Sequence, residues 1–402
     1  MNVVALRAFS DEMRSAPVDC HVDEVAVFES FAAAEAPWRA LEATRCALAT
    51  PYQGYDFLNA WQTHLGAAEG VQPAIVAGFN QSGRPLFLWP LGVRRLAGLR
   101  VMEFLGGKHA NFNIGLWQRD VAASIGAPEL RFVTRRLAEH ADMMQLTAQP
   151  LTWGGTTNPL AQLPHQRSAN FGFSGTLIPD FEALLRARTN SCTRKKMRKK
   201  ERGLADMGEV RFERATGARQ VHRVLDAFFK QKSARMRQLG LPDVFGAPGV
   251  RRFIEAATIE PKDGRPAPIE LYALSVDDMV VATMGGIAAR GRFCAMFNSI
   301  QPGRFAAESP GEQLIVRLVR ACCERGLDTF DLGVGQSRYK HLFCEDAEPL
   351  FDSYLPLTGA GQMPALAFSA AAAGKRALKQ HPALWSAIRK VRRLRGRLAA
   401  AA

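Results

Sequence analysis

The sequence predicts an α/β chain in which mixed sheets are flanked by helices and the whole is built as two similar halves. Three observations predict it. At 402 residues the chain is longer than one ordinary core, and two domains of about 150–200 residues are expected. Hydrophobic residues make up 47% and charged residues 22%, the balance of a folded globular protein rather than a disordered one. A strand–turn–strand–turn–strand pattern also occurs twice at similar spacing, with helical stretches around it.

Residues 1–20 read as a loose leader, with charged and polar residues where the apolar core of a secretion signal would stand. A first half is expected over 21–170. Helical periodicity runs over Phe28–Ala40 and Tyr55–Leu65, separated at Pro51. Strands follow at Pro73–Phe79, Pro85–Arg94 and Val101–Leu105. The turn Asn80-Gln81-Ser82-Gly83 and the break Ala97-Gly98 separate them, and Pro90 argues for an edge or a bulge in the second. A polar loop from Gly106 to Asn113, a helix near Glu129–His140 and a strand near Gln145–Trp153 complete the half.

The second half is expected over 171–358. Its strands are Glu270–Val276, Met279–Ala288 and Phe293–Ile300, with turns at Asp277-Asp278 and Arg290-Gly291-Arg292. A loop containing Ser309-Pro310-Gly311 leads into a helix, Glu312–Arg325, closed by Gly326. A short buried strand, Thr329–Leu332, precedes Gly333-Val334-Gly335, a short helix Ser337–Phe343 and a strand pair near Glu348–Leu357. Residues 359–374, rich in Ala and Gly, read as a linker to a basic amphipathic tail helix over 375–402.

Seven cysteines without a C-x-x-C spacing and eight histidines without an H-x-x-x-H pair predict neither a disulfide framework nor a metal site. Cys322-Cys323 lie in an apolar helical stretch, where free cysteines act as small hydrophobes. The longest weakly polar run, Met363–Gly374, is short of the roughly 20 residues of a membrane span, so a cytoplasmic chain is expected. The net charge is +14, and it is concentrated. Nine basic and no acidic residues lie between Lys375 and Arg397, and seven basic residues against Glu201 between Arg194 and Arg202. Such runs are either solvated helix faces or seats for an anionic partner. The tail, with Leu384, Ile388, Val391, Leu394 and Leu398 at helical spacing, has the pattern of a helix that rests on an anionic membrane surface.

The candidate chemistry lies between Phe293 and Lys340. A strand feeds a loop that opens a helix, whose first N–H groups are unpaired and face outward. The pattern S-P-G-x-x-L from Ser309 to Leu314, then R-G-L-D-T-F-D-L-G-V-G from Arg325 to Gly335, then Tyr339-Lys340, resembles the GNAT acyltransferase superfamily. Within it, the pattern resembles the bacterial acetyltransferases grouped with the cellulose-biosynthesis protein CelD, cousins of the Fem-type transferases with twin GNAT-like halves. T-P-Y-Q (Thr50–Gln53), Asn59-Ala60-Trp61, F-L-G-G (Phe104–Gly107) and the basic run Thr193–Arg202 look like the same group.

The resemblance implies tandem GNAT-like domains and direct transfer of an acyl group from acyl-CoA, with no permanently bound cofactor. The acceptor would be an amine or hydroxyl of a sugar, a polysaccharide precursor or another cell-envelope compound. It places acyl-CoA at Asn298, Ser299 and Ile300, whose backbone would polarise the thioester carbonyl, and at Ser309, Pro310, Gly311, Glu312 and Gln313. It makes Tyr339 the acid for the thiolate, Glu308 or Asp331 the base, and Lys340 a contact to phosphate or acceptor; Asp331, at a strand end before Gly333, also reads as a cap on the glycine loop. His109, Asn111 and Asn113 would line the acceptor side, between the halves. One departure stands out. The family loop reads Q/R-x-x-G-x-G, and with Gly311 at its last glycine, Ser309 takes the first and Ala306 takes the Gln/Arg place. That keeps open a Fem-like transferase fed by aminoacyl-tRNA, and the basic tail keeps open a non-catalytic cellulose or exopolysaccharide assembly factor that docks through it.

Overall fold

The computed structural model describes residues 21–44, 46–261, 264–335 and 342–381. The first half begins with β1 (Glu24–Phe28), α1 (Phe31–Ala43) and α2 (Tyr55–Trp61). It continues through β2 (Gln72–Pro73), β3 (Ile75–Phe79), β4 (Pro85–Trp89), β5 (Leu91–Leu96), β6 (Leu99–Phe104) and β7 (Leu116–Trp117). After α3 (Arg119–Ser124) and α4 (Ala127–Arg136) come β8 (Met143–Pro150), β9 (Thr152–Trp153) and β10 (Thr156–Thr157). The chain then runs through β11 (Gln166–Thr176), α5 (Phe181–Arg188), α6 (Ser191–Ala205), β12 (Val210–Arg214), α7 (Gly217–Leu239) and α8 (Pro248–Thr258). It finishes with β13 (Glu270–Val276), β14 (Met279–Ala289), β15 (Arg292–Ile300), α9 (Pro310–Glu324), β16 (Thr329–Val334), β17 (Asp346–Pro356) and α10 (Gly359–Gln380).

One 11-stranded mixed sheet runs through both halves in the order β12-β13-β14-β15-β16-β11-β17-β8-β6-β5-β2. β1, β3, β4 and β7 form a separate 4-stranded sheet, and β9 pairs with β10. The strand meander expected in the second half is present almost residue for residue. Its members are apolar on both faces because helices cover both: every residue of β13 is buried. The α7 residues Val221, Val224, Leu225 and Phe228 pack into one core, which also takes in the first half. The α9 residues Leu314, Ile315, Leu318 and Val319 pack into a second core on the opposite face.

The first half departs from a simple repeat. Proline cannot donate to a sheet ladder, and Pro90 divides the expected strand Pro85–Arg94 into β4 and β5. β4 goes to the small sheet and β5 to the large one. The expected boundary at 170/171 falls inside β11, which pairs with β16 on one side and β17 on the other. The expected strand pair near Glu348–Leu357 is the single strand β17, which also pairs antiparallel with β8 of the first half. The halves are therefore joined by main-chain hydrogen bonds and not by a linker. The expected linker 359–374 is the first part of α10, which packs on β17, β11 and β8. Its alanines are strong helix formers, and Gly361 lets the helix lie against the Asp142 carbonyl, where a Cβ would come within 1.9 Å. Of the tail helix expected over 375–402, residues to Gln380 continue α10, and residues 382–402 lie outside the described residues. The leader 1–20 lies outside them too.

Phe351 of β17 is buried at the seam, paired with Gln149 of β8 and Arg167 of β11. Phe351→Ala is expected to lower stability by about 3–5 kcal/mol. Because the sheet is continuous, tryptophan fluorescence, which reports mainly on the first half, and far-UV circular dichroism should shift together in urea. Separate transitions for the two probes would contradict a single cooperative sheet.

Candidate active site

β15 and β16 lie parallel, but they pair only where Arg292, Phe293 and Cys294 meet Thr329, Phe330 and Asp331. Beyond that point they part, and side chains explain why. The next β15 carbonyl, that of Ala295, accepts a hydrogen bond from Asn111 Nδ2 at 3.1 Å. Across the gap, the Gly333 N–H turns back to Asp331 Oδ1. Gly333 has φ +72°, and a Cβ there would stand 2.6 Å from Asn111 Nδ2, so the close approach requires glycine. A side chain from the first half thus replaces a ladder bond of the second and holds the strands open as a wedge.

On its other side β15 stays paired with β14, but with a bulge: Ala295 faces Gly286 and Phe297 faces Gly285, leaving Met296 unpaired. The bulge reverses the alternation of side chains. Phe293 and Ala295 join the α9-side core, whereas Phe297 joins the α7-side core. A cavity of about 180 Å³ fills the wedge, lined by β15 from Ala295 to Asn298, by Leu332 and Val334 of β16, and by Asn111, Lys232, Phe245 and Met284.

The Asn111 loop is braced by the T-P-Y-Q segment. The Tyr52 hydroxyl accepts from Asn111 Nδ2 at 3.0 Å, and Gln53 Nε2 and Thr50 Oγ1 each donate to the Phe112 carbonyl at 3.0 Å. Burial pushes the Tyr52 hydroxyl well above the ordinary tyrosine pKa. The F-L-G-G turn delivers the loop, with Gly106 at φ +92°.

Arg292 stands at the point where the wedge starts. It donates from Nε to Asp331 Oδ2 at 3.1 Å, from Nη2 to the same carboxylate, and from Nη2 to Glu348 Oε1 at 2.9 Å. Its guanidinium lies 4.0 Å from the centroid of the Trp153 ring and 5.9 Å from that of Phe112, both in the first half. Burial pushes the Asp331 carboxyl up to about 6, against the pull of Arg292.

These positions correct several expectations. Asp331, offered as a base or as a cap on the glycine loop, takes the second role: it is 0% exposed, with Oδ1 accepting from Gly333 N and Oδ2 held by Arg292. Glu308 leans on α6, where a Cβ on Gly203 would stand 2.6 Å from its carboxylate, and it does not line the wedge. The Ser299 side chain is buried, sharing a hydrogen bond with Thr283 and donating to Gln231 Oε1, so only its main chain is left for the role expected of it. Asn113 is buried and donates to the Thr147 carbonyl, a bracing role. Asn111 and Asn298 do line the wedge. His109 sits behind it, its ring 6.3 Å from that of Phe245 and 5.4 Å from that of Phe253. Its Nδ1 is buried without a hydrogen-bond partner among the described residues, and burial pushes the imidazole down to about 4. Tyr339 and Lys340 lie outside the described residues.

The loop after β15 ends at Ser309, which caps α9 in the left-handed region at φ 51°. Its carbonyl accepts from Glu312 N and Gln313 N. Gln313 Nε2 donates to the Glu308 and Lys200 carbonyls, Glu312 pairs with Lys200 at 3.0 Å, and Pro310 is buried. Gly311 lies under Ile300, whose Cδ1 would be 2.6 Å from a Cβ there. The helix start is thus built with its own carboxylate and its own packing, and α6 brings its cations alongside. Sequence reasoning missed Lys232 and Phe245, because α7 and α8 were not read; the spacing of Val221, Val224, Leu225 and Phe228 carried the signal.

Residues 191–341 match the model of the acetyltransferase (GNAT) domain family. No protein of curated function matches the sequence. Among solved structures, FemX aligns at 10% identity with a TM-score of 0.53, covering 82% of this chain and 96% of that one. The C-terminal domain of a protein assigned as a lysylphosphatidylglycerol synthetase from Agrobacterium fabrum aligns at 11% identity with a TM-score of 0.50, covering 85% and 95%. A conserved protein of unknown function from Bacteroides thetaiotaomicron aligns at 10% identity and 0.50, covering 83% and 100%. The chain has the tandem GNAT-type fold, with mixed sheets flanked by helices.

Two outcomes are expected from this geometry. Asn111→Ala leaves the Ala295 carbonyl and the Tyr52 hydroxyl without their partner and should cost about 1–3 kcal/mol. Asn111→Asp, which turns an oxygen toward a carbonyl, should cost more; an Asp variant as stable as the Ala variant in urea unfolding would contradict the wedge. His109 is neutral in the fold while the unfolded chain takes up a proton near the ordinary histidine pKa. Its contribution is therefore complete above about pH 6.5 and is lost as the pH falls toward 4. The wild type should lose about 2 kcal/mol more between pH 7.5 and pH 5 than His109→Gln; parallel pH profiles would show that His109 is not held neutral.

Proposed function

We propose that this chain is an acyltransferase that moves an acyl group from acyl-CoA to an amine or hydroxyl acceptor, with the reacting thioester held in the wedge between β15 and β16. The observation that carries the reading is the parting of two parallel strands at Asn111, which leaves the β15 edge from Ala295 to Asn298 along a cavity. A main-chain edge freed from its ladder supplies fixed N–H dipoles along which a thioester carbonyl can lie. The acceptor nitrogen or oxygen attacks the carbonyl carbon, the new bond forms as the C–S bond breaks, and the acceptor gives up one proton while the thiolate takes one. Holding the two reactants side by side supports much of the rate. Tyr339, a few residues after β16, is proposed as the acid for the thiolate, and Lys340 as a phosphate contact.

The finer reading places the chain with the CelD-like group and its acceptor among cell-envelope sugars or polysaccharide precursors. It rests on the motif order from Ser309 to Lys340. A second reading has a specific observation in its favour. Ala306 is exposed where the family loop carries Gln or Arg, and Glu312 already occupies the first turn of α9. A helix start that carries its own carboxylate is a poorer seat for a pyrophosphate. An aminoacyl-tRNA donor would not need that seat, and it would show as salt-sensitive tRNA binding.

Acetyl-CoA is expected to raise the melting temperature of the full chain. Val334→Trp, which fills the wedge from β16, should weaken that binding by about tenfold or more, the effect of losing one well-packed contact region. Absence of a response to acyl-CoA of any chain length, together with a low-salt shift by charged tRNA, would replace the first reading with the second.

A further inference from the structure

Lys232 projects from α7 into the wedge and, among the described residues, is the lone ionisable side chain that lines it. Its Nζ donates to the Asn298 carbonyl at 3.1 Å and lies 5.2 Å from the centroid of the Phe245 ring. Among the described residues, no carboxylate stands within ion-pair distance of it. Asp243 is the nearest opposing charge, but its oxygens are taken by Ser233 Oγ and by the Phe245 N–H, so it braces the loop that carries Phe245. Burial pulls the Lys232 ammonium below the ordinary lysine value, with Asp243 opposing. An ammonium ion has three donors; one goes to Asn298, and no described side chain lining the wedge offers a counter-charge.

The side from which Lys232 enters matters. The loop after β15 and the start of α9 lie with the core on one face of the sheet, and α7 lies on the other. A donor whose phosphates rest near α9 reaches the wedge from the first face. Lys232, Phe245 and Asn111 close it from the second, so they face the acceptor.

We propose that Lys232 is a specificity-determining residue that selects an acceptor carrying an anionic group, a carboxylate or phosphate, next to its reacting amine or hydroxyl. The anion would complete the ammonium's hydrogen bonding, and a bond between two charged groups is stronger than one between neutral groups. This rests on the acyl-transfer reading, since it takes the wedge as the place of reaction. It narrows the acceptor to a phosphorylated or carboxylated amine or alcohol.

The test compares matched acceptors with the full-length protein and acetyl-CoA: glucosamine 6-phosphate against glucosamine, O-phosphoethanolamine against ethanolamine, and glycine against glycinamide. Release of the CoA thiol gives kcat/KM, and calorimetry gives binding of each acceptor without donor. At least one anionic member should exceed its neutral partner by about tenfold or more, as expected for one hydrogen bond to a charged group. In Lys232→Met that ratio should fall toward one, mainly through KM, and Lys232→Arg should restore part of it. Equal use of charged and neutral members by the wild type would overturn the proposal, and this holds even if the Met variant fails to fold. An equal loss for both members in Lys232→Met would also overturn it, because Lys232 would then serve the reacting atoms. If acetyl-CoA does not bind yet a phosphorylated amine binds through Lys232, the acyl-CoA reading fails and the anion site stands. If acetyl-CoA binds and charge makes no difference, the reverse holds.

Discussion

A guanidinium removed from water inside a sheet must be matched by charge and by hydrogen-bond acceptors, and much of this protein is arranged around that requirement at Arg292. Its partners come from three strands' worth of chain: Asp331 on β16, Glu348 on β17, and the rings of Trp153 and Phe112 from the first half. Breaking such a pair by removing one partner ordinarily costs about 3–5 kcal/mol, because the other charge is stranded. Ser174 of β11 donates to Glu348 at 2.8 Å, which draws the strand between β16 and β17 into the same set. The position of this charge also marks where β15 and β16 stop pairing, since Asp331 is at once its partner and the last residue of β16 paired with β15.

The wedge is accordingly a joint product of the two halves. β15 and β16 supply its walls, but Asn111 keeps them apart, and Asn111 is held by Tyr52 and by a loop tied to Thr50 and Gln53. The motif T-P-Y-Q thus has a physical meaning 59 residues before the asparagine it supports. Phe57 of α2 and Phe253 of α8 meet at 5.4 Å, so the helix that follows the Phe245 loop also rests on the first half. A half that had lost its own reactive groups would still be needed as the frame for its neighbour.

How much of this the sequence disclosed follows from burial. β13, β14 and β15 are covered on both faces and read as nearly continuous apolar runs, so their limits were legible to within about a residue. α9 was legible for its strong periodicity and its closing glycine. β11 was not, because Gln166–Thr176 alternates weakly and carries Arg, Asn and serine on a strand that lies in mid-sheet. The interleaving of the halves depends on pairings more than 170 residues apart, for which local pattern holds no signal. Asp331 could be read as a base or as a cap because an acid at a strand end beside glycines is ambiguous until its partner is known, and Arg292 lay in what read as a turn. Lys232 sits in Lys230-Gln231-Lys232, one lysine of two, and only the fold separates the one over the wedge from its neighbour.

The place of β17 has a consequence for how the molecule is made. It is the last strand in sequence among the described residues, yet it lies in the middle of the sheet, with β11 on one side and β8 on the other. Until residue 356 has left the ribosome, the growing chain holds two unsatisfied strand edges facing an empty lane. Open edges of that kind invite pairing with other chains. Synthesis of this protein therefore passes through a long interval, until β17 has emerged, in which the open lane between β11 and β8 is left to whatever shields nascent chains.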